Sequence, residues 1–169
     1  MRRAVELNPS LPVARSLLGQ FLGIAGRTEE GLRELDYAIL LSPRDPQLWS
    51  FHAGKQIVYS NAGRYEESRA ASERALEVDP IAAGATAHSN IAATSVHLGD
   101  LPRAREALAE TLRVWPEISE ETLRVLCASI PEEHVEKFLD ALRIVAGWTP
   151  ERESAASAVA TRPGATTPS

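Results

Sequence analysis

Few side chains in this sequence are of a type and spacing that could do chemistry. The histidines are His52, His88, His97 and His134. A helical metal site needs two of them three or four residues apart, and no pair has that spacing. They read as packing or surface residues. Cys127 is the only cysteine, which excludes a disulfide framework and a multi-cysteine zinc site. With no base predictable beside it, it reads as a buried structural thiol. The carboxylate pairs Glu29-Glu30, Glu66-Glu67, Glu120-Glu121 and Glu132-Glu133 could in principle share acid–base work. Each falls at an expected helix start, where negative charge complements the helix dipole. Gly19, Gly23 and Gly26 share small-residue spacing but lead to no Lys-Ser/Thr ending, so they form no phosphate loop. Helix packing accounts for them. No nucleophile triad is recognisable. The expectation is a protein with no catalytic residue, no metal site and no cofactor.

The elements that hold these residues show themselves through repetition. One phrase occurs four times: Ala4-Val5-Glu6-Leu7-Asn8-Pro9, Ala38-Ile39-Leu40-Leu41-Ser42-Pro43, Ala75-Leu76-Glu77-Val78-Asp79-Pro80 and Thr111-Leu112-Arg113-Val114-Trp115-Pro116. Each reads as a helix end, because proline pushes the residue before it out of the α region. The prolines stand 34, 37 and 36 residues apart. Between them, Ala25-Gly26-Arg27-Thr28-Glu29-Glu30 is echoed by Ala62-Gly63-Arg64-Tyr65-Glu66-Glu67 and, more loosely, by Leu98-Gly99-Asp100-Leu101-Pro102-Arg103. A glycine here supplies the left-handed residue that ends a helix, and Thr28 and Asp100 are expected to cap the next one. Glycine to proline is 17 residues in all three units, so the second helix of each unit has constant length. The first half varies, at 17, 20 and 19 residues. One helix pair cannot bury both its apolar faces, so neighbouring pairs must stack.

Composition agrees with an all-α reading. The chain has 169 residues, 44% of them apolar and only 5% aromatic, and strand-type alternation is nearly absent. The net charge of −5 comes with no basic stripe, which argues against nucleic-acid binding. No apolar run approaches the roughly 18 residues of a membrane span. Glu6 interrupts the opening segment too early for a secretory signal, so a soluble cytoplasmic protein is the expectation.

A period near 34 with this turn chemistry resembles the tetratricopeptide repeat. Unit one offers Arg15, Leu18, Gly19, Leu22, Gly31, Leu35 and Pro43 at the matching places, and unit three His88, Ile91, Ala92, Ser95, Ala104, Leu108 and Pro116. Unit two has Ser68 and Ser72 where alanine and an aromatic are usual, and its first helix, Trp49 to Tyr59, aligns only with a three-residue shift. The resemblance implies antiparallel helix pairs stacked into a right-handed superhelix, an α-solenoid. Gly19 and Ala92 are to allow close helix approach. Leu18, Leu22, Leu32, Leu35, Ala38 and Ile39 are to form the core. It also implies a concave groove lined by the first helices. Carried over by position, the lining is Val13, Ser16, Gln20 and Ile24 in unit one, Gln47 and Ser50 in unit two, and Ser89, Asn90, Ala93 and His97 in unit three. Asn90 stands where many members have an asparagine that bonds a peptide backbone. The basic pair needed for a terminal-carboxylate clamp is missing. A small, neutral groove for a helix or an extended segment is expected, with a groove that serves no peptide as the alternative.

A narrower resemblance runs from Ala25-Gly26-Arg27 through Pro43-Arg44-Asp45-Pro46-Gln47-Leu48-Trp49 to Tyr65-Glu66-Glu67, and again at Phe138-Leu139-Asp140-Ala141-Leu142-Arg143. These stretches are similar to the C-terminal repeats of bacterial proteins that begin with a class III adenylate/guanylate cyclase domain or a winged-helix regulatory domain. The likeness concerns the repeats alone.

The expected organisation is a remnant of a preceding repeat at 1–9, three helix pairs at 10–43, 44–80 and 81–116, capping helices at 117–148 and a disordered tail at 149–169. In the cap, a short helix from Ser119 to Cys127 is broken at Ile130-Pro131. Glu132 to Ala146 then carries the one-sided stripe Val135, Phe138, Leu139, Leu142 and Val145. The opening remnant reads either as the start of a detached C-terminal portion or as the frayed helix of a short protein. The functional expectation is a protein–protein interaction module. The alternative is a regulatory appendage whose N-terminal domain is missing from this chain. Self-association through the N-terminal repeat edge is a further expectation.

Overall fold

The computed structural model describes residues 11–147. The expected remnant at 1–9 and tail at 149–169 lie outside them. Among the described residues there are eight helices and no strand. They are α1 (Pro12–Ile24), α2 (Thr28–Leu41), α3 (Leu48–Asn61), α4 (Tyr65–Val78), α5 (Gly84–His97), α6 (Leu101–Val114), α7 (Glu120–Leu126) and α8 (Glu132–Ala146). Helices α1 and α2, α3 and α4, and α5 and α6 form antiparallel pairs. Each pair packs on the next through α1 with α3, α2 with α3, and α4 with α5. Helix α8 lies against α5 and α6.

The turns follow one pattern. Gly26, Gly63 and Gly99 all adopt positive φ, at 78°, 72° and 77°. The next residue donates its backbone N–H to the carbonyl five residues back: Arg27 to Leu22 (2.9 Å), Arg64 to Tyr59 (2.9 Å) and Asp100 to Ser95 (2.8 Å). Those bonds close the old helix and place the residue after glycine at the N-cap of the new one. Asp100 therefore caps α6, accepting from the Arg103 N–H at 3.2 Å. Thr28 does not cap α2. Arg27 holds the cap position, and Thr28 is already the first helical residue. At the other ends, α2, α4 and α6 stop two residues before Pro43, Pro80 and Pro116. All four glutamate pairs sit in first turns.

The interior is small-residue packing in the first pair and aliphatic packing near the cap. Leu32, Leu35 and Ala38 are buried, whereas Leu18, Leu22 and Ile39 are half-buried. Ile91, Leu108, Leu123, Val135, Leu139 and Leu142 belong to one cluster that joins α5, α6, α7 and α8, with Phe138 and Val145 packed against it. Helix α7 is tied to α8 by ions: Arg143 bonds Glu120, Asp140 and Glu136, and Arg124 bonds Glu120, Glu132 and Glu136. No helix among the described residues is long and apolar enough to cross a membrane.

Candidate binding cavity

A cavity of about 240 Å³ lies where the first helices of the second and third pairs meet the C-terminal helices. Its apolar wall includes Trp49 and Ile57 from α3, Trp115 from the end of α6, Leu123 from α7, Ile130 from the α7–α8 connection and Phe138 from α8. Its polar wall includes Gln56 and Ser60 from α3, Ser89 and Asn90 from α5, and His134 from α8. Helices α3 and α5 touch each other only lightly, which opens the space, and α7 with α8 closes it from the C-terminal side.

The polar wall is one connected network. Ser68 Oγ donates to the Gln56 carbonyl oxygen at 2.9 Å, and Ser72 Oγ donates to Gln56 Oε1 at 2.9 Å. Gln56 Nε2 reaches the Thr86 carbonyl at 3.4 Å. Asn90 Nδ2 donates to Ser68 Oγ at 3.0 Å and to Ser72 Oγ at 2.8 Å. Ser68 and Ser72 are fully buried, and Asn90 is 4% exposed. The two serines that break the repeat pattern of unit two thus serve a hydrogen-bonded junction of α3, α4 and α5.

The residues expected in a groove fall into separate places. Ser89 and Asn90 line the cavity. Ser16 is buried in α1 and accepts from Gln20 Nε2 at 3.3 Å, while Gln20 packs on Gly54 of α3. Ile24 is half-buried at the last position of α1. Gln47 is the N-cap residue of α3 and exposed, and Ser50 donates to its carbonyl at 2.7 Å. His97 is exposed at the end of α5, its ring stacked on Tyr65 with centroids 4.2 Å apart. Val13 is exposed and Ala93 is buried. The aromatic and aliphatic walls were not foreseen. Their one local signal is the pair of tryptophans, Trp49 and Trp115, in an aromatic-poor chain.

Cys127 and His134 are the titratable side chains among the described residues that line the cavity. Burial pushes the Cys127 thiol above its ordinary pKa, so the thiol form is favoured. Burial also lowers His52, His88 and His97, which favours their neutral forms. Among the described residues no group of three or more His, Cys, Asp or Glu side chains could hold a metal ion.

No protein-family model and no curated protein matches the sequence. Among solved structures, the chain is similar to PilW, a widely conserved type IV pilus biogenesis factor, with a TM-score of 0.65 and 19% identity over 92% of this chain and 71% of that one. At that identity the likeness is one of fold. The fold is all-α: antiparallel helix-pair repeats stacked into a right-handed superhelix of the tetratricopeptide type, with α7 and α8 at its C-terminal end.

Proposed function

We propose that this chain is a non-enzymatic protein–protein interaction module that binds a peptide or a helix on the side formed by α1, α3 and α5. The observation that carries the reading is the cavity between α3, α5, α7 and α8, bounded mainly by apolar side chains with a short polar strip. Such a surface suits a segment that supplies an apolar anchor and backbone hydrogen bonds. Ser16, Gln20, Ile24, Gln47, Ser50, Ser89, Asn90 and His97 are the proposed contacts, with Ser89 and Asn90 at the centre. Selection from a displayed peptide library with the wild-type chain and with a Gln20→Ala/Asn90→Ala chain tests it. Peptides enriched by the wild type should bind the variant several-fold more weakly. Equal recovery by both sinks the groove assignment.

One feature favours a second reading, that of a regulatory repeat region of a larger adenylate/guanylate cyclase or transcriptional regulator. Helix α1 leaves Val13, Leu17 and Phe21 exposed at four-residue spacing, an apolar stripe on one face. A neighbouring domain or a second copy would cover it. Sedimentation over a concentration range, with Phe21→Glu as control, reports self-association. An upstream coding sequence in frame with a cyclase or winged-helix domain would carry the regulatory reading, and an immediate in-frame stop would defeat it.

A further inference from the structure

At Asn90 the cavity has a fixed hydrogen-bonding polarity. Ser68 and Ser72 each have one hydroxyl proton: Ser68 directs its own at the Gln56 main-chain oxygen, and Ser72 shares its own between Gln56 Oε1 at 2.9 Å and the Ser68 main-chain oxygen at 3.1 Å, so neither proton points at Asn90. Both serine oxygens are therefore acceptors toward Asn90. Only an N–H group satisfies two acceptors, so Asn90 turns its amide nitrogen inward, 3.0 and 2.8 Å from them. Its Oδ1 accepts from no described residue and is an acceptor left to the cavity that Asn90 lines, whose wall also holds Asn61 with its buried, unpartnered Nδ2 donor. An asparagine that held a carboxylate or a peptide carbonyl would have to donate. This one accepts.

The rest of the wall sets size and charge. Among the described residues no Lys, Arg, Asp or Glu lines the cavity, and three of its walls are the rings of Trp49, Trp115 and Phe138. Its volume of about 240 Å³ exceeds the roughly 150 Å³ that admits benzene, and so leaves room for a bicyclic ring.

We propose that the cavity receives the tryptophan side chain of a partner peptide, with the indole N–H donated to Asn90 Oδ1. The inference rests on the proposed peptide-binding face and names the anchor that face selects. An NMR titration of the ¹⁵N-labelled chain with Gly-Trp-Gly amide and with the same peptide carrying 1-methyltryptophan tests it. The first peptide should shift amide signals of α3 and α5. The methylated one should bind about tenfold more weakly, the size of one lost hydrogen bond. Ala85→Phe, which places a ring into the cavity from α5, should remove the shifts while leaving thermal unfolding unchanged. Equal affinity for the two peptides overturns the proposal on the wild-type chain alone, whatever the variant does. Binding of free indole without binding of the tryptophan peptide overturns the side-chain source. Library peptides that bind well without tryptophan would overturn this anchor and leave the interaction face standing.

Discussion

Helices α1 and α2 meet backbone to backbone, whereas α3, α4 and α5 meet through side-chain hydrogen bonds. At the first seam a Cβ on Gly19 would lie 2.6 Å from the Gly31 carbonyl oxygen, and one on Gly31 would lie 2.5 Å from that of Gly19. Where α3 joins this pair, the Val58 side chain lies over Gly23 and the Leu35 side chain over Gly54. No side chain fits there, and no ligand would. At the second junction Gln56, Ser68 and Ser72 stand where the first pair has Gly19, Gly31 and Leu35, and they bond one another and Asn90. Polar groups must meet partners at bonding distance, so they hold helices apart as well as together. One superhelix thus contains a sealed seam, between α1 and α2, and an open one, between α3 and α5, which touch only lightly.

The comparison can be broken most sharply at Leu35, which is fully buried against Gly19 and Gly54. Leu35→Ala should cost about 2–5 kcal/mol in denaturant unfolding. Ile57→Ala should cost clearly less, because Ile57 already borders the cavity. Similar losses at both sites would erase the distinction between a sealed and an open seam. Next in size is Gly31→Ala. Alanine gains up to about 1 kcal/mol in helix propensity, yet the clash with a carbonyl oxygen that cannot move aside should leave a net loss of about 1–3 kcal/mol. Gly84→Ala is the control. A Cβ there meets nothing nearer than Val114 at 3.8 Å, so the change should be neutral or slightly stabilising.

At the open junction, Asn90→Ala removes the donor from two buried serine oxygens. A loss of about 1–2 kcal/mol is expected by thermal or denaturant unfolding, and no loss would mean that the network does not hold the helices. The smallest effect concerns the lid of the cavity. The Arg143 guanidinium, with Arg124, holds the Glu120 carboxyl below its ordinary 4.5. A depressed carboxylate pKa gives a contribution that is complete above 4.5 and disappears as pH falls through the lower folded value. Protection of α7 amides against hydrogen exchange, corrected for intrinsic rates, should therefore fall below about pH 4 and also weaken with salt. Protection in α1 and α2 should change less.

Much of the architecture was legible because it is local. Gly26, Gly63 and Gly99 end helices through their own φ, and the residues before Pro43, Pro80 and Pro116 stop helices through a clash with the next ring. The helix from Glu132 to Ala146 has the bounds its apolar period implied. Thr28 misled because a hydroxyl at a turn looks like a cap, while the register of the cap is set by the Arg27 to Leu22 backbone bond. Of the residues that line the candidate cavity, the repeat spacing singled out only Ser89 and Asn90. Trp49, Trp115 and Phe138 converge on the cavity from distant segments, and no spacing along the chain records that convergence.

The residue order thus specified the repeat, its turns and its helical period, since each depends on dihedral preferences and apolar spacing within about one helical hairpin. Packing settled the rest. Which way Asn90 presents its amide depends on where Ser68 and Ser72 on another helix send their protons, and the cavity exists because α7 and α8 fold back over the place where α3 and α5 touch only lightly. Both are properties of groups that meet only after three pairs of helices have stacked.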